Sequence, residues 1–294
     1  MNNKKLKKKN VASKVRKISV IIPTLNEEKY LPKLLKSLKE QSFEDYEIIV
    51  SDAGSKDRTR AIAEEYGALV VQGGMPGAAR NAGAKSASGE FLFFLDADVI
   101  VPKDFLENAY SEMRDKYIDL ATCDFKPLSD KKLDRFLHRL INAVIRIERK
   151  INPEAFGFCI LVARRLFERI IGFDESVVLA EDCDFVKRAY MFRPLEILKS
   201  TFISVSVRRY IKEGRMGFMI KGLRISMHRI FRGEIRSDVI QYEFGNFDNK
   251  KEKGSGKDVD IKKISNKKKI LPVKKSAKKK RANELTRQVR AVVH

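Results

Sequence analysis

An α/β protein built on a doubly wound, mostly parallel sheet with flanking helices is what this sequence predicts, and three observations predict it. Short β-branched runs alternate with segments of helical periodicity between Ile18 and Leu95. The run that closes this series, Glu90–Leu95, is continuously apolar after its first residue, as a strand buried on both faces must be. Polar and acidic residues gather just after the runs, where the ligands of such sheets bind.

The first run, ISVII at 18–22, ends in a turn over Pro23–Asn26, and Leu31, Leu34, Leu35 and Leu38 then recur at helical spacing. A second unit has YEIIV at 46–50, the polar turn Asp52-Ala53-Gly54-Ser55 and a helix from about Asp57, placed to cap, to Tyr66. The third reads Ala68–Val71, the glycine-rich turn Gly73–Gly77 and an Ala-rich helix from Ala78 to about Ala87. Strands alternating with helices imply right-handed crossovers in one sheet. After residue 95 the alternation loosens into a helix near 103–116, a strand near 118–123 and a long basic amphipathic helix near 131–150. An apolar segment at 156–162, a helix from Glu181 to about Met191 and a β-branched run at 201–207 follow, the last closed by Arg208-Arg209-Tyr210. The Lys/Arg-studded segment 215–232 sets Met216, Met219, Ile220, Leu223, Met227, Ile230 and Phe231 on one helical face.

The formal charge of the 294 residues is +22, and nearly all of it sits at the ends. Residues 1–17 carry 8 Lys/Arg and no acid, and residues 249–294 carry 17 Lys/Arg against 4 acids, which leaves the body almost neutral. The expected organisation is a basic disordered arm at 1–17, a catalytic domain at 18–212, an amphipathic helical extension at 213–248 and a basic, largely disordered tail at 249–294. A nucleic-acid-binding protein would use those ends as phosphate contacts. The C-terminal stretch lacks the interleaved aromatics that stack on bases, so specific nucleic-acid binding is not expected. Cys123, Cys159 and Cys183 have no metal or redox spacing and read as reduced core thiols of a cytoplasmic protein. No apolar run is long enough to cross a bilayer, so any membrane contact is expected to be peripheral, on the inner face of the cell membrane.

Several clusters could carry chemistry. Asp96 and Asp98 flank Ala97 just past the apolar strand, and in extended chain both carboxylates point to one side. Such a pair beside a diphosphate suits Mg²⁺ or Mn²⁺. Asp52 either makes only a turn, with Gly54 supplying a positive φ, or binds a nucleotide base or ribose. Arg80 and Asn81 follow a glycine-rich loop into a helix N-terminus, a natural place for phosphate. Neither a Walker A loop nor a GxGxxG dinucleotide fingerprint is present. Glu181 and Asp182 open a helix, where its dipole favours negative charge, and either cap it or act in catalysis. Arg208 and Arg209 are either surface charge or a phosphate clamp. No histidine, among His138, His228 and His294, has partners at metal spacing.

Taken together, SVIIPTLNEEKYLPKLLKSL, EIIVSDAGSKDRT, ARNAGAKSASGE, FLFFLDADV, GFDES followed by AEDCDFVKRA, and SVRRY resemble glycosyltransferase family 2, with its GT-A fold, over roughly residues 18–215. The resemblance implies that Pro23, Thr24, Asn26 and Glu27 line a nucleotide pocket, together with Gly54, and that Asp52 contacts the base. It implies that Arg80, with Asn81, steadies the site near the diphosphate, that the Asp96-Ala97-Asp98 segment holds ribose and metal, and that Asp182 is the general base with Glu181 beside it. The implied donor is a UDP- or GDP-sugar, and the implied reaction is a metal-assisted single displacement with inversion. The acceptor is a hydroxyl or a lipid phosphate; a lipid phosphate arrives ionised, and Arg208 and Arg209 would then clamp it. Segment 215–232 either packs on the catalytic body or lies, with the basic tails, on an anionic membrane surface, and a lipid-linked acceptor would favour the latter. One departure is that Ala53 stands where many relatives have a second aspartate, which leaves the nucleotide open. A nucleotidyltransferase on a similar sheet would share the metal site but needs a different loop near Gly73–Gly77.

Overall fold

The computed structural model of the protein describes residues 16–149, 153 and 155–237. The expectations for the tail at 249–294 and for most of the arm at 1–17 lie outside the described residues, as do those for 238–248. The described elements are β1 (Ile18–Thr24), α1 (Leu31–Lys39), β2 (Tyr46–Asp52), α2 (Thr59–Glu65), β3 (Leu69–Gln72), α3 (Pro76–Ser86) and β4 (Phe91–Phe94). They continue as β5 (Val99–Ile100), α4 (Phe105–Asp115), β6 (Leu120–Pro127), α5 (Lys132–Glu148), β7 (Ile160–Ala163) and α6 (Arg164–Arg169). The last four are α7 (Glu181–Tyr190), β8 (Leu195–Val205), α8 (Arg208–Glu213) and α9 (Arg215–Arg232).

The strands form one eight-stranded sheet in the order β3-β2-β1-β4-β7-β6-β8-β5. β3, β2, β1 and β4 are parallel, as expected, whereas β7 runs antiparallel between β4 and β6 and β5 pairs antiparallel with β8. Each face of the central strands is buried. Ile18, Val20 and Ile22 of β1 join Leu31, Leu34, Leu35 and Leu38 of α1 in one core, while Ile21 faces a second core with Ala84, Phe94 and Phe185. α3 lies close on that second face at Gly83, where a Cβ would collide with Ile21 and Ser51, so only glycine permits the approach.

Three details depart from expectation. α2 starts at Thr59, with Arg58 at its N-cap and no side-chain cap; Asp57 instead bonds the Thr59 N–H and hydroxyl at 2.9 and 2.5 Å. Of the run at 201–207, residues 201–205 are the end of a longer strand, Leu195–Val205, and Val207 is the N-cap of α8. Arg208-Arg209-Tyr210 does not close that strand but opens α8.

α5 packs Ile141 and Ile145 against the first core, and Asp134 ties it to α9. Asp134 is fully buried and holds Arg215 Nε at 2.7 Å and the Ser129 hydroxyl at 2.6 Å. The Arg215 hydrogen bond holds its carboxyl below the usual range. A depressed carboxyl stabilises the fold above its unfolded value and ceases to do so as pH falls through the folded one. Asp134→Asn is therefore expected to cost about 2 kcal/mol at neutral pH, and denaturant melts should show that difference shrinking below about pH 4.

Candidate active site

Two loops at the carboxyl ends of β1 and β2 are stitched into one platform. Asn26 takes the left-handed conformation, φ 55°, which its short polar side chain tolerates. Its Oδ1 accepts the Lys56 N–H at 2.8 Å, its own N–H donates to Ser55 Oγ at 2.8 Å, and the Glu27 N–H donates to Thr59 Oγ1 at 2.8 Å. Asp52 is fully buried beneath them. Its Oδ2 accepts the Gly54 and Ser55 N–H groups at 3.1 and 3.0 Å, and its Oδ1 accepts the Ser55 and Thr24 hydroxyls at 2.5 and 3.3 Å. Gly54 has the positive φ that this turn requires, 90°. The turn-making role of Asp52 is thus filled, and any contact with a base shares oxygens already engaged. Pro23 is half-buried at the edge of this platform.

The next strand end holds two carboxylates, each bridged by a buried arginine. β4 runs beside β1 and delivers Asp96 and Asp98, with Ala97 buried between them. Arg208, from the start of α8, grips Glu27 with both terminal nitrogens at 2.7 and 2.8 Å, sets Nε 2.8 Å from Asp98 Oδ2 and lies over the Tyr30 ring at 4.4 Å. Its guanidinium is therefore taken up by acids and is not turned outward as a clamp. Arg80, from α3, sends Nη1 to Glu181 at 2.5 Å and Nη2 to Asp96 at 3.1 Å and lies over Phe173. Asp182 follows Glu181 in the first turn of α7, half-buried; its Oδ2 accepts the Gly157 N–H at 2.6 Å and its Oδ1 the Cys183 N–H at 2.8 Å. Ala180, just ahead, is itself left-handed, φ 61°, an uncommon strain of the kind that gathers at functional sites.

These groups share an electrostatic environment. Burial pushes the Glu27 carboxyl up, Arg208 pulls it down, and Asp98 and Asp96 raise it again. Burial likewise raises Asp98 and Glu181, each against a neighbouring arginine. Helix position alone would favour charge at Glu181, but burial outweighs it. Burial opposes the Arg208 charge, and Asp98 and Glu27 more than compensate. Arg209 contributes at longer range, its charge lowering Asp98.

Glu27, Arg80, Asp96, Asp98, Glu181, Asp182 and Arg208 are thus linked through contacts of two arginines and one helix start. Asn81 points elsewhere: its amide holds the Phe173 backbone in both directions at 2.9 Å and reaches Glu175. The sequence reading missed Tyr30, Phe173 and Gly157. Gly157 leaves room where a Cβ would collide with Arg80 Nη2 and crowd Asp182 Oδ2. Gly157→Ala is expected to cost about 1–3 kcal/mol in a thermal melt and to lower turnover by displacing both side chains.

Asp96 and Asp98 are hard oxygen donors of the type Mg²⁺ and Mn²⁺ prefer. Among the described residues no group of three His, Cys, Asp or Glu could hold an ion by itself. An ion held by this pair would need its other ligands from a diphosphate and water.

The sequence profile described as glycosyl transferase family 2 matches residues 19–171, more than half of the chain. The chain belongs to glycosyl transferase family 2. Among curated family 2 relatives, it is 31% identical over 192 residues to the poly(ribitol-phosphate) beta-N-acetylglucosaminyltransferase TarS of Staphylococcus aureus, covering 60% of this chain and 32% of TarS. It is 30% identical over 201 residues to the uncharacterized glycosyltransferase EpsJ of Bacillus subtilis, covering 62% of this chain and 58% of EpsJ. The match thus spans about a third of TarS and over half of EpsJ. The crystal structure of TarS 1–349 in complex with UDP superimposes with a TM-score of 0.55 at 25% identity, over 74% of this chain and 72% of that one. The mannosyltransferase PcManGT of Pyrobaculum calidifontis, in complex with GDP-Man and Mn²⁺, shares the fold with a TM-score of 0.54 at 24% identity, over 72% of this chain and 65% of that one. The GT-A-like arrangement expected from the family 2 motifs is therefore the fold observed.

Proposed function

We propose that this chain transfers a sugar from a UDP- or GDP-sugar to an acceptor hydroxyl or lipid phosphate, by a metal-assisted single displacement with inversion, in the synthesis of a glycolipid, polysaccharide or glycoprotein glycan. The observation that carries this reading is the convergence of Asp96, Asp98 and Asp182 around Arg80 and Arg208 at the carboxyl end of the sheet. Likeness to TarS, whose structures contain UDP or UDP-GlcNAc, supports it.

The Pro23–Glu27 and Asp52–Ser55 loops form the nucleotide platform in this reading. Asp96 and Asp98 hold a divalent cation, which when bound neutralises charge that develops on the leaving diphosphate. Arg80 adds fixed positive charge at Asp96, pre-oriented by Glu181 and so needing little rearrangement. Arg208 balances Asp98 and Glu27 and keeps the donor carboxylates in place. Asp182, held by two backbone N–H groups, accepts the proton of an acceptor hydroxyl as its oxygen attacks the anomeric carbon from the face opposite the diphosphate. An acceptor phosphate has no such proton to give, and in that case Arg209, whose charge reaches Asp98, would help to meet it.

The test is incubation of the purified chain with UDP- and GDP-sugars, with and without Mn²⁺. Metal-dependent release of nucleoside diphosphate, with inverted configuration in the product sugar, is expected. Failure of every donor both to stabilise the protein and to release its nucleotide would refute the reading, since a bound donor must raise the melting temperature.

A further inference from the structure

α9 is turned inside out. Met216, Met219, Ile220, Leu223, Met227 and Phe231 follow one another along a single helical stripe, and each is 45–74% exposed. The opposite side carries what a water-soluble helix normally shows to solvent: Arg229 pairs with Glu234 at 2.9 Å, their side chains only 7% and 14% exposed. Phe218 meets the Tyr210 ring there at 4.8 Å. A helix that served only to cover the catalytic body would place its apolar stripe inward.

α5 bears a second stripe. Leu133, Phe136, Leu140, Val144 and Ile147 are all exposed, while Asp134, His138, Ile141 and Ile145 occupy its inner face. Arg215 and Asp134 join the two helices at 2.7 Å, and Tyr210 of α8 lies between them, its ring 5.5 Å from that of His138 on α5 and 4.8 Å from that of Phe218 on α9. Exposed apolar side chains scattered singly are ordinary, but two continuous stripes on joined helices mark a surface that binds something. No helix among the described residues is long and apolar enough to cross a membrane.

The charge identifies what it binds. Segment 215–232 has five Lys/Arg and no acid; Arg224 and Arg232 are exposed on α9, as are Arg135 and Arg139 on α5. A second copy of the chain would bring the same positive charge against them, whereas anionic headgroups complement it. We propose that α9 and α5 form one docking surface for an anionic bilayer, with both apolar stripes in the interface and Arg224 and Arg139, the exposed arginines nearest the stripes, at headgroup level. This deepens the lipid-acceptor branch of the proposed reaction and rests on it for its purpose. Vesicle binding does not depend on turnover, so the two readings fail separately.

The experiment is flotation of the full chain with phosphatidylcholine vesicles, with and without phosphatidylglycerol. Binding to the anionic vesicles is expected, weakened roughly tenfold or more by Met219→Glu/Leu223→Glu in α9 and, separately, by Phe136→Glu/Leu140→Glu in α5. Wild-type melting and donor binding would show that each variant is folded. The proposal is overturned by absence of binding to anionic vesicles, or by binding that either variant leaves unchanged, in which case the basic ends alone adhere. It is also overturned by a dimer that the α9 variant dissociates, because a second copy then covers the stripe.

Discussion

Asp182→Asn is expected to lower turnover roughly 10²–10⁴-fold, the range for loss of a positioned general base, while donor affinity changes little. Two backbone donors, from Gly157 and Cys183, fix the carboxylate by one contact to each oxygen. An amide can accept only one of them with its oxygen, so the side chain loses both its basicity and its orientation. The reacting donor touches this residue only as the acceptor attacks, which separates turnover from affinity. Steady-state kinetics with calorimetric donor titration checks the separation. An equal loss in affinity would assign Asp182 to donor binding instead.

Asp98→Asn is expected to reduce turnover roughly 10²–10³-fold, the scale for removing one group that stabilises developing charge, and to abolish stimulation by Mn²⁺. Unlike Asp182, Asp98 is costly to the resting fold. It is buried beside Arg208, and its carboxyl is pushed up mainly by that burial, with Asp96 adding to it. Its replacement by a neutral isostere removes a buried charge, and Arg208 keeps its two-pronged grip on Glu27. The variant should therefore melt no lower than the wild type, the pattern of a group kept for function and not for stability. A marked fall in melting temperature would make Asp98 a structural ion-pair partner of Arg208.

The first half of the sheet is legible in the sequence because β1, β2 and β4 are apolar on both faces and a helical stripe follows β1. The second half is less so. The apolar run at 156–162 announces burial, but nothing local says that β7 runs antiparallel to β4. The two-residue β5 and six-residue α6 and α8 are too short to show a period.

The acids of the site are legible from their positions after strands. Their counter-charges are not, because Arg80 meets Glu181 across 101 positions and Arg208 meets Glu27 across 181. Local pattern carries no record of such pairs, so Arg208 reads as surface charge or a phosphate clamp when it is a buried bridge. The stripe of α9 is likewise plain in the sequence, but periodicity gives only its existence and not the direction it faces.

The most direct test is calorimetric titration of UDP and GDP, with and without Mn²⁺, into the wild type and an Asp96→Asn/Asp98→Asn variant. The wild type is expected to bind one of the two nucleotides in the presence of Mn²⁺ and to lose it on chelation, and the folded variant to show no metal-dependent binding. Binding of equal strength in the variant, with the same response to Mn²⁺, would contradict the assignment of these aspartates to a metal-diphosphate site.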